Sequence, residues 1–246
     1  MHQPIILALD TSSKATSIAL ARGAELLRSV TAGLDEKRSE RLWSELKALL
    51  SEAGLTVGDI DLFSVCVGPG GFTGVRVGIA CIKGLAEAAN KPAVGITSLE
   101  AAAFSASRAE LVLAMVNAYK DEAYSQLFSF DNAGAPVAET KPMVSSFEQA
   151  LERVSDFHEL TFAGDGAADA VDAISRAASS VASRKWTIKE ASHATADAVA
   201  RLASIKHSRG ESGSAASLTA CYVRPAEAEI KLSRGLLGSK IKRSMR

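Results

Sequence analysis

Two segments of the sequence carry residue types that could bind a phosphate or a metal ion. In the first, Asp10 ends a short apolar run and is followed by the hydroxyl side chains of Thr11 and Ser12. A carboxylate can hold a divalent cation, and neighbouring hydroxyls can donate hydrogen bonds to phosphate oxygens. An aspartate followed by hydroxyl residues is also typical of an ordinary turn, and the spacing alone favours the turn.

The second segment is a glycine-rich loop at residues 68–74, between an apolar run and a helical pattern. Glycine adopts backbone angles that other residues resist, so the loop predicts a sharp turn from a strand into a helix, whose first N–H groups could face an anion. No Lys-Ser or Lys-Thr pair closes the loop, and the order Gly-x-Gly-x-x-Gly is missing. A structural turn is therefore at least as good an interpretation as a phosphate cradle. The candidate anion or nucleotide positions of the two segments are Asp10, Thr11, Ser12, Gly70, Gly71, Thr73 and Gly74.

Other catalytic residue types show no useful spacing. The three cysteines, Cys66, Cys81 and Cys221, are an odd number without the paired spacing of a disulfide framework or metal site. The four histidines are scattered along the chain without the spacing of metal ligands. The sequence therefore predicts no metal site and reduced thiols. The lack of a Ser-His-Asp or Cys-His arrangement also argues against a hydrolase.

Composition limits the class of protein. The chain has 246 residues, 47% hydrophobic and 23% charged, with a formal net charge of zero. These values are typical of a globular protein and do not indicate a nucleic-acid binder by bulk charge. No apolar run reaches the roughly 20 residues of a membrane helix, and the first residues lack the pattern of a signal peptide. We therefore expect a cytoplasmic protein without a membrane partner.

The elements that would position these segments follow a repeated order. Residues 1–103 predict three antiparallel strands followed by alternating helices and strands, and residues 104–225 repeat this order more loosely. Two tandem lobes with a cleft between them are expected. Near the end, residues 218–223 predict an edge strand, and residues 226–246 form a tail rich in Lys and Arg, for which a solvated tail is favoured over RNA contact.

Two predicted helices have unusual surfaces. Residues 38–53 place leucines at helical spacing, and the helix after the glycine loop is rich in glycine and alanine. A glycine inside a helix costs about 1 kcal/mol relative to alanine. Close approach of another backbone, within the chain or across an interface, is the usual compensation. Both interpretations stay open for these helices.

Three segments together resemble the TsaB family, also called YeaZ. They are ILALDTS at residues 6–12, GPGGFTGVRVG at residues 68–78 and GITSL at residues 95–99, and weaker similarity extends to about residue 225. The resemblance implies the α/β class and an actin-like, sugar-kinase-like ATPase fold with two duplicated ribonuclease-H-like lobes. It also implies the partner subunit of the bacterial machinery that makes threonylcarbamoyladenosine in tRNA.

The resemblance implies particular partners. Such proteins are non-catalytic paralogues of the catalytic subunit TsaD, lack its His-x-x-x-His metal site and form a heterodimer with it. The pair transfers a threonylcarbamoyl group to N6 of the adenosine beside the anticodon, and a TsaE-like ATPase joins the assembly. The chain would then meet tRNA through the complex and need no cofactor. A homodimer through the same helices when TsaD is absent is compatible with this role, and homodimer versus monomer and weak nucleotide binding both stay open.

The family also implies where the partner binds. The two unusual helices form the dimer face, so the expected face residues are Leu42, Trp43, Leu46, Leu50, Val75, Gly78, Ile79 and Ile82. The chain departs from the family at Arg38, where many members carry histidine, and at Asn117, where aspartate is common. Both changes remove a potential metal ligand and argue against metal-assisted catalysis by this chain.

Two other functions stay open. One is a phosphotransfer enzyme or ATPase that uses Asp10 and the glycine loop around Mg-ATP. The other is a peptidase, which the missing nucleophile–base pair disfavours most.

Overall fold

A computed structural model describes residues 3–32, 38–106, 109–192 and 195–224. The strands of its first sheet are β1 (Ile5–Asp10), β2 (Thr16–Arg22), β3 (Glu25–Ala32), β4 (Leu62–Cys66) and β5 (Ala93–Ile96). Their order across the sheet is β3-β2-β1-β4-β5. β1, β2 and β3 are antiparallel, whereas β4 and β5 run parallel to β1.

Side chains alternate between the two faces of this sheet, and each face has its own helices. Leu7 and Leu9 of β1 face α1 (Arg38–Glu52) and α2 (Phe72–Ala89). Ile6 and Ala8 face α7 (Thr195–Ser208) on the other side. Because both faces are covered, residues 5–9 of β1 form a continuous apolar run and β4 is apolar except for Ser64.

The second sheet repeats the first more loosely. Its strands are β6 (Val112–Asn117), β7 (Glu122–Phe130), β8 (Pro136–Ala138), β9 (Met143–Ser146), β10 (Glu159–Ala163) and β11 (Lys185–Ile188). Their order across the sheet is β11-β10-β6-β7-β8, with β9 also paired to β7. Short helices α4 (Phe147–Glu152), α5 (Asp165–Asp169) and α6 (Val171–Ser179) contribute to the core of this sheet.

The two halves exchange helices. α3 (Ser98–Ser105) follows the first sheet but packs on β6 and β7, and α7 follows the second sheet but packs on β1 and β2. The first sheet ends with β5 at Ile96, and the second begins with β6 at Val112. Each sheet is covered on one face by a helix that follows the other sheet in the chain. The division into residues 1–103 and 104–225 stays a prediction.

The predicted edge strand at residues 218–223 is wrong. This segment forms no strand. Its contact with the chain after β4 is a hydrogen bond from the amide of Cys221 to the carbonyl oxygen of Val67, at 2.8 Å. The basic tail at residues 226–246 lies outside the described residues. In the part of the chain that is described, none of the helices combines the length and apolar character needed to cross a bilayer.

Candidate functional site

The glycine loop connects β4 to α2 and packs directly on the turn that follows β1. The amide of Gly71 donates to the carbonyl oxygen of Ser12 at 2.7 Å. A Cβ added at Gly70 would lie 2.5 Å from that same oxygen, and one added at Gly74 would lie 2.0 Å from the carbonyl oxygen of Thr11. Any side chain at these positions would collide with the backbone. The glycines therefore let the chain's own turn occupy the space beside the loop.

The polar groups of the Asp10 turn are largely satisfied inside the protein. The carboxylate of Asp10, 1% exposed, accepts a hydrogen bond from the amide of Ser12 at 2.7 Å. The hydroxyl of Thr11 donates to the carbonyl of Gly74 at 2.7 Å. The thiol of Cys66 donates to the Ser12 hydroxyl at 3.3 Å. Of the predicted anion positions, Thr11, Gly70 and Gly74 serve packing, and Thr73 is exposed on α2.

Acidic residues of the second lobe face this turn across a cleft. Asp165 accepts a hydrogen bond from the amide of Asn117 at 3.0 Å, and the Asn117 side-chain amide donates to Asp169. Burial raises the pKa of Asp165, and the charges of Asp169 and Asp10 raise it further, against the lowering effect of the Asn117 amide. The sequence predicted none of these as binding residues, although the i, i+4 spacing of Asp165 and Asp169 on a helix was a usable signal.

The cleft between the lobes has a volume of about 450 Å³. Asp10, Ser12 and Gly71 are the predicted anion positions that line it. Lys14 and Lys189 add positive charge to the same lining. Within the described residues, no group of three His, Cys, Asp or Glu side chains is placed to hold a metal ion.

The Cys66 thiol, which contacts the Asp10 turn, is not an activated nucleophile. Burial raises the pKa of the Cys66 thiol well above its ordinary value, and the negative charge of Asp10 raises it further. Cys66 is therefore a thiol, not a thiolate, at neutral pH. In the described part of the chain, Ser183 contacts His158 at 3.2 Å and Ser212 contacts His207 at 2.9 Å. Neither pair lines the cleft, so the geometry gives the peptidase alternative no support.

The predicted partner face requires a correction. Seven of its eight residues are buried within the chain's own N-terminal lobe, because the leucine stripe of α1 and the matching stripe of α2 pack on the first sheet. These buried residues are Leu42, Leu46, Leu50, Val75, Gly78, Ile79 and Ile82. Gly78 is small because its Cβ would lie 2.4 Å from the Thr11 hydroxyl oxygen, not to admit a partner. Trp43, 51% exposed, is the one predicted face residue at the surface.

Fold comparison defines the class of protein first. The chain matches the sucrose-bound ROK family protein of Streptococcus pneumoniae TIGR4 with a TM-score of 0.51 at 11% identity, over 83% of this chain and 99% of that one. The architecture is the actin-like, sugar-kinase-like fold, as predicted. YeaZ from Pseudomonas aeruginosa matches with a TM-score of 0.73 at 28% identity, over 89% of this chain and 99% of that chain.

Sequence comparison then gives the family. The family profile of TsaD, tRNA N6-adenosine threonylcarbamoyltransferase, matches residues 33–231, so the chain belongs to this family. The TsaB protein of Haemophilus influenzae is 35% identical over 127 residues, which cover 50% of this chain and 53% of that one. The TsaB protein of Escherichia coli is 32% identical over 155 residues, 61% of this chain and 65% of that one. The chain thus matches between half and two thirds of these relatives' length, and the predicted resemblance to TsaB is confirmed.

Proposed function

We propose that the chain is a non-catalytic subunit of the machinery that transfers a threonylcarbamoyl group to N6 of the adenosine beside the anticodon in tRNA. A role in tRNA threonylcarbamoyladenosine biosynthesis is supported by its relatives, which are named as TsaB proteins of that pathway. One structural observation carries the non-catalytic role: the glycine loop, which could cradle a phosphate, is packed against residues 11 and 12 of the same chain. In this role the chain works in the cytoplasm.

The catalytic partner in this proposal is a TsaD-type subunit, docked on the outer surfaces of α1 and α2. α1 packs on β2 and β3, and α2 packs on β4 and β1, so the two helices cover the same face of the sheet at neighbouring strands. Their outward residues include Trp43 and Lys47 on α1 and Ala80 and Gly84 on α2. Small residues on α2 let another helix approach closely, which supports a helical bundle across the interface.

Co-elution with the TsaD-type subunit of the same organism tests this docking. A Cβ at Gly84 would have nothing within 4 Å, so Gly84→Arg changes the outer surface without disturbing the core. We expect Gly84→Arg to abolish co-elution while circular dichroism is unchanged. Val171→Arg, at a residue 45% exposed on α6, is the matched control and should co-elute normally. Undiminished co-elution of Gly84→Arg would contradict the docking surface.

The remaining partners follow from the same role. We propose that a TsaE-like ATPase joins the pair and that tRNA is modified on the assembled complex. Without the TsaD-type subunit, the same helices form a homodimer. Light scattering of the chain alone and of Gly84→Arg checks this, because one shared surface predicts that both pairings are lost together.

Nucleotide binding in the cleft is a second candidate function. The observation that favours it is the pair Lys14 and Lys189 on a lining that also holds Asp10 and Asp165. Titration calorimetry of the chain with Mg-ATP tests it. Binding without turnover fits a structural nucleotide, whereas turnover by the chain alone would favour the phosphotransfer alternative.

A further inference from the structure

The chain that follows α7 lies along the first lobe as a strap, which we define as residues 209–224. Gly213 exchanges two backbone hydrogen bonds with Ala93 of the edge strand β5, at 2.8 and 3.0 Å. Leu218, 5% exposed, belongs to the core that covers the first sheet. The middle of the strap is therefore fixed to the first lobe.

The strap also contacts α2 of the same lobe. Nζ of Lys83 donates a hydrogen bond to the carbonyl oxygen of Ala216 at 3.3 Å. Nε of Arg76 donates to the Tyr222 hydroxyl at 2.8 Å, and the rings of Tyr222 and Phe72 have centroids 5.9 Å apart. These contacts keep the strap on the first lobe as far as Tyr222.

The two ends of the strap contact the second lobe instead. At one end, Nη2 of Arg209 lies 2.6 Å from Oδ2 of Asp131, and at the other, Nη2 of Arg224 lies 2.5 Å from Oε2 of Glu122. Glu122 is the first residue of β7, and Asp131 directly follows the last. The four side chains are between 29% and 37% exposed. One strand of the second sheet is thus held at both of its ends by arginines of the strap.

The pair of Arg224 and Glu122 lies next to the cleft. The amide of Glu122 donates to the carbonyl oxygen of Tyr119 at 3.2 Å, and the amide of Tyr119 donates to Oδ1 of Asn117 at 2.8 Å. Tyr119 and Asn117 both line the cleft. The strap is therefore connected to a turn that forms part of the cleft wall.

We propose that the strap is a latch that limits how far the two lobes separate, and so how wide the cleft between them opens. Its middle is fixed to the first lobe while its arginines hold β7 of the second, so separation of the lobes at β7 breaks one or both ion pairs. Rotation of two lobes about a cleft is a common switching motion of proteins. This inference goes beyond the proposed function, because it requires neither a partner subunit nor a nucleotide.

The size of the effect follows from the exposure of the two pairs. Ion pairs that water still reaches are weak, and each is expected to change the ratio of open to closed molecules by about threefold. The two pairs lie at opposite ends of β7, so their contributions should add in free energy. Loss of both should therefore raise the ratio of open to closed molecules about tenfold.

Double electron–electron resonance of the full chain measures the separation of the lobes. Spin labels on non-natural residues replace Glu25, exposed at the start of β3, and Asp172, exposed on α6. An excess of unlabelled chain removes distances between copies. Combining Arg209→Ala with Arg224→Ala should raise the ratio of long to short distances about tenfold, and each single variant about threefold.

Two controls separate the latch from a general loss of charge. Lys185→Ala removes the pair of Lys185 and Glu159, which is also 2.5 Å long but lies inside the second sheet, between β10 and β11. It should leave the distances unchanged. Combining Arg224→Glu with Glu122→Arg re-forms the pair with the charges exchanged, and it should restore the wild-type distances.

Salt gives a second readout, because dissolved ions screen pairs that are partly exposed. Raising NaCl to about 1 M should increase the long distance in the wild type and leave the double variant unchanged. Wild-type distances in the double variant would overturn the proposal. If that variant also had a lower thermal midpoint, the strap would only stabilise the first lobe. The measurement uses the chain alone, so failure of the pairing proposed above would leave its outcome readable.

Discussion

In each lobe of the protein, a glycine packs against the backbone at or near the end of the first strand, but the surroundings of the two glycines differ. In the first lobe, Gly74 lies against Thr11, and the turn is closed by internal hydrogen bonds. In the second lobe, Gly164 lies against Met115, and the next residue, Asp165, faces the cleft. The repeated contact is thus a packing device of the fold, and in the second lobe the half-buried carboxylate of Asp165, whose pKa is raised by burial, lies beside it.

The helices after these turns also differ. α2 runs without interruption from Phe72 to Ala89 and leaves a surface of small residues exposed. The corresponding chain of the second lobe is divided into α5 and α6 at Ala170. A long helix with a small-residue outer surface suits docking of another helix, so the first lobe is where we place the partner.

The largest expected effect is that of Gly164→Ala. The residue has φ = +102°, and its Cβ would lie 2.2 Å from the carbonyl oxygen of Met115. Strain and collision together should lower the free energy of unfolding by about 4 kcal/mol. Gly134→Ala is the matched control, since it also has a positive φ, +74°, but has nothing within 4 Å. Urea unfolding should show a loss of only about 1 kcal/mol there.

The same test in the first lobe is Gly74→Ala. Its Cβ would lie 2.0 Å from the carbonyl oxygen of Thr11, within a helix of ordinary geometry. We expect a loss of about 3 kcal/mol in urea unfolding. Gly84→Ala, in the same helix but in open space, should instead gain up to about 1 kcal/mol from helix propensity. Equal behaviour of the two variants would show that the close packing on residue 11 is not what requires glycine.

The inner and outer sides of α1 should respond differently. Leu46, 3% exposed, packs on the first sheet, so Leu46→Ala should lower the free energy of unfolding by about 2–3 kcal/mol. Trp43→Ala should change it by less than about 0.5 kcal/mol, because Trp43 is at the surface. Pull-down with the TsaD-type subunit should show the reverse order, with binding weakened by Trp43→Ala. An unchanged free energy of unfolding for Leu46→Ala would contradict the burial of Leu46 in the chain's own core.

The smallest effect concerns the pH dependence of the second lobe. The folded protein raises the pKa of Asp165 above its ordinary value of 3.8, so the folded state binds this proton more tightly than the unfolded state. The stability contributed by this group is present at acidic pH and is lost as pH rises through the raised pKa. Asp165→Asn keeps an oxygen that can accept from the Asn117 amide. Asp165→Asn should therefore raise the thermal midpoint of unfolding at pH 7 and weaken the fall of stability with rising pH. An unchanged dependence of the thermal midpoint on pH would contradict the raised pKa of Asp165.

Much of the fold was predictable because its strands are short apolar runs between turn residues. The three antiparallel strands and the alternating helices and strands predicted for residues 1–103 are present as β1 to β5 with α1 and α2. α3 was missed because its alanine-rich sequence lacks periodicity. Its capping box was visible, however, since the Thr97 hydroxyl accepts from the amide of Glu100 at 3.0 Å, and the Glu100 carboxylate accepts from the amide of Thr97 at 2.8 Å.

The site was harder to predict than the fold. The sequence marks Leu42 and Ile79 as apolar residues at helical spacing, but it does not say whether the chain's own sheet or a partner covers them. Their burial depends on α1 and α2 lying on the first sheet, which is a tertiary arrangement. Asp169 likewise becomes a cleft residue only in the tertiary structure, where it lines the same cleft as Asp10.

Reconstitution of tRNA threonylcarbamoylation tests the central claim most directly. The assay supplies threonylcarbamoyl adenylate, unmodified tRNA, the TsaD-type subunit and the TsaE-like ATPase, with or without this chain. The account predicts modification only when the chain and the TsaD-type subunit are both present, and its loss with Gly84→Arg but not with Val171→Arg. Modification by the chain without the TsaD-type subunit would contradict the proposal that it is a non-catalytic partner.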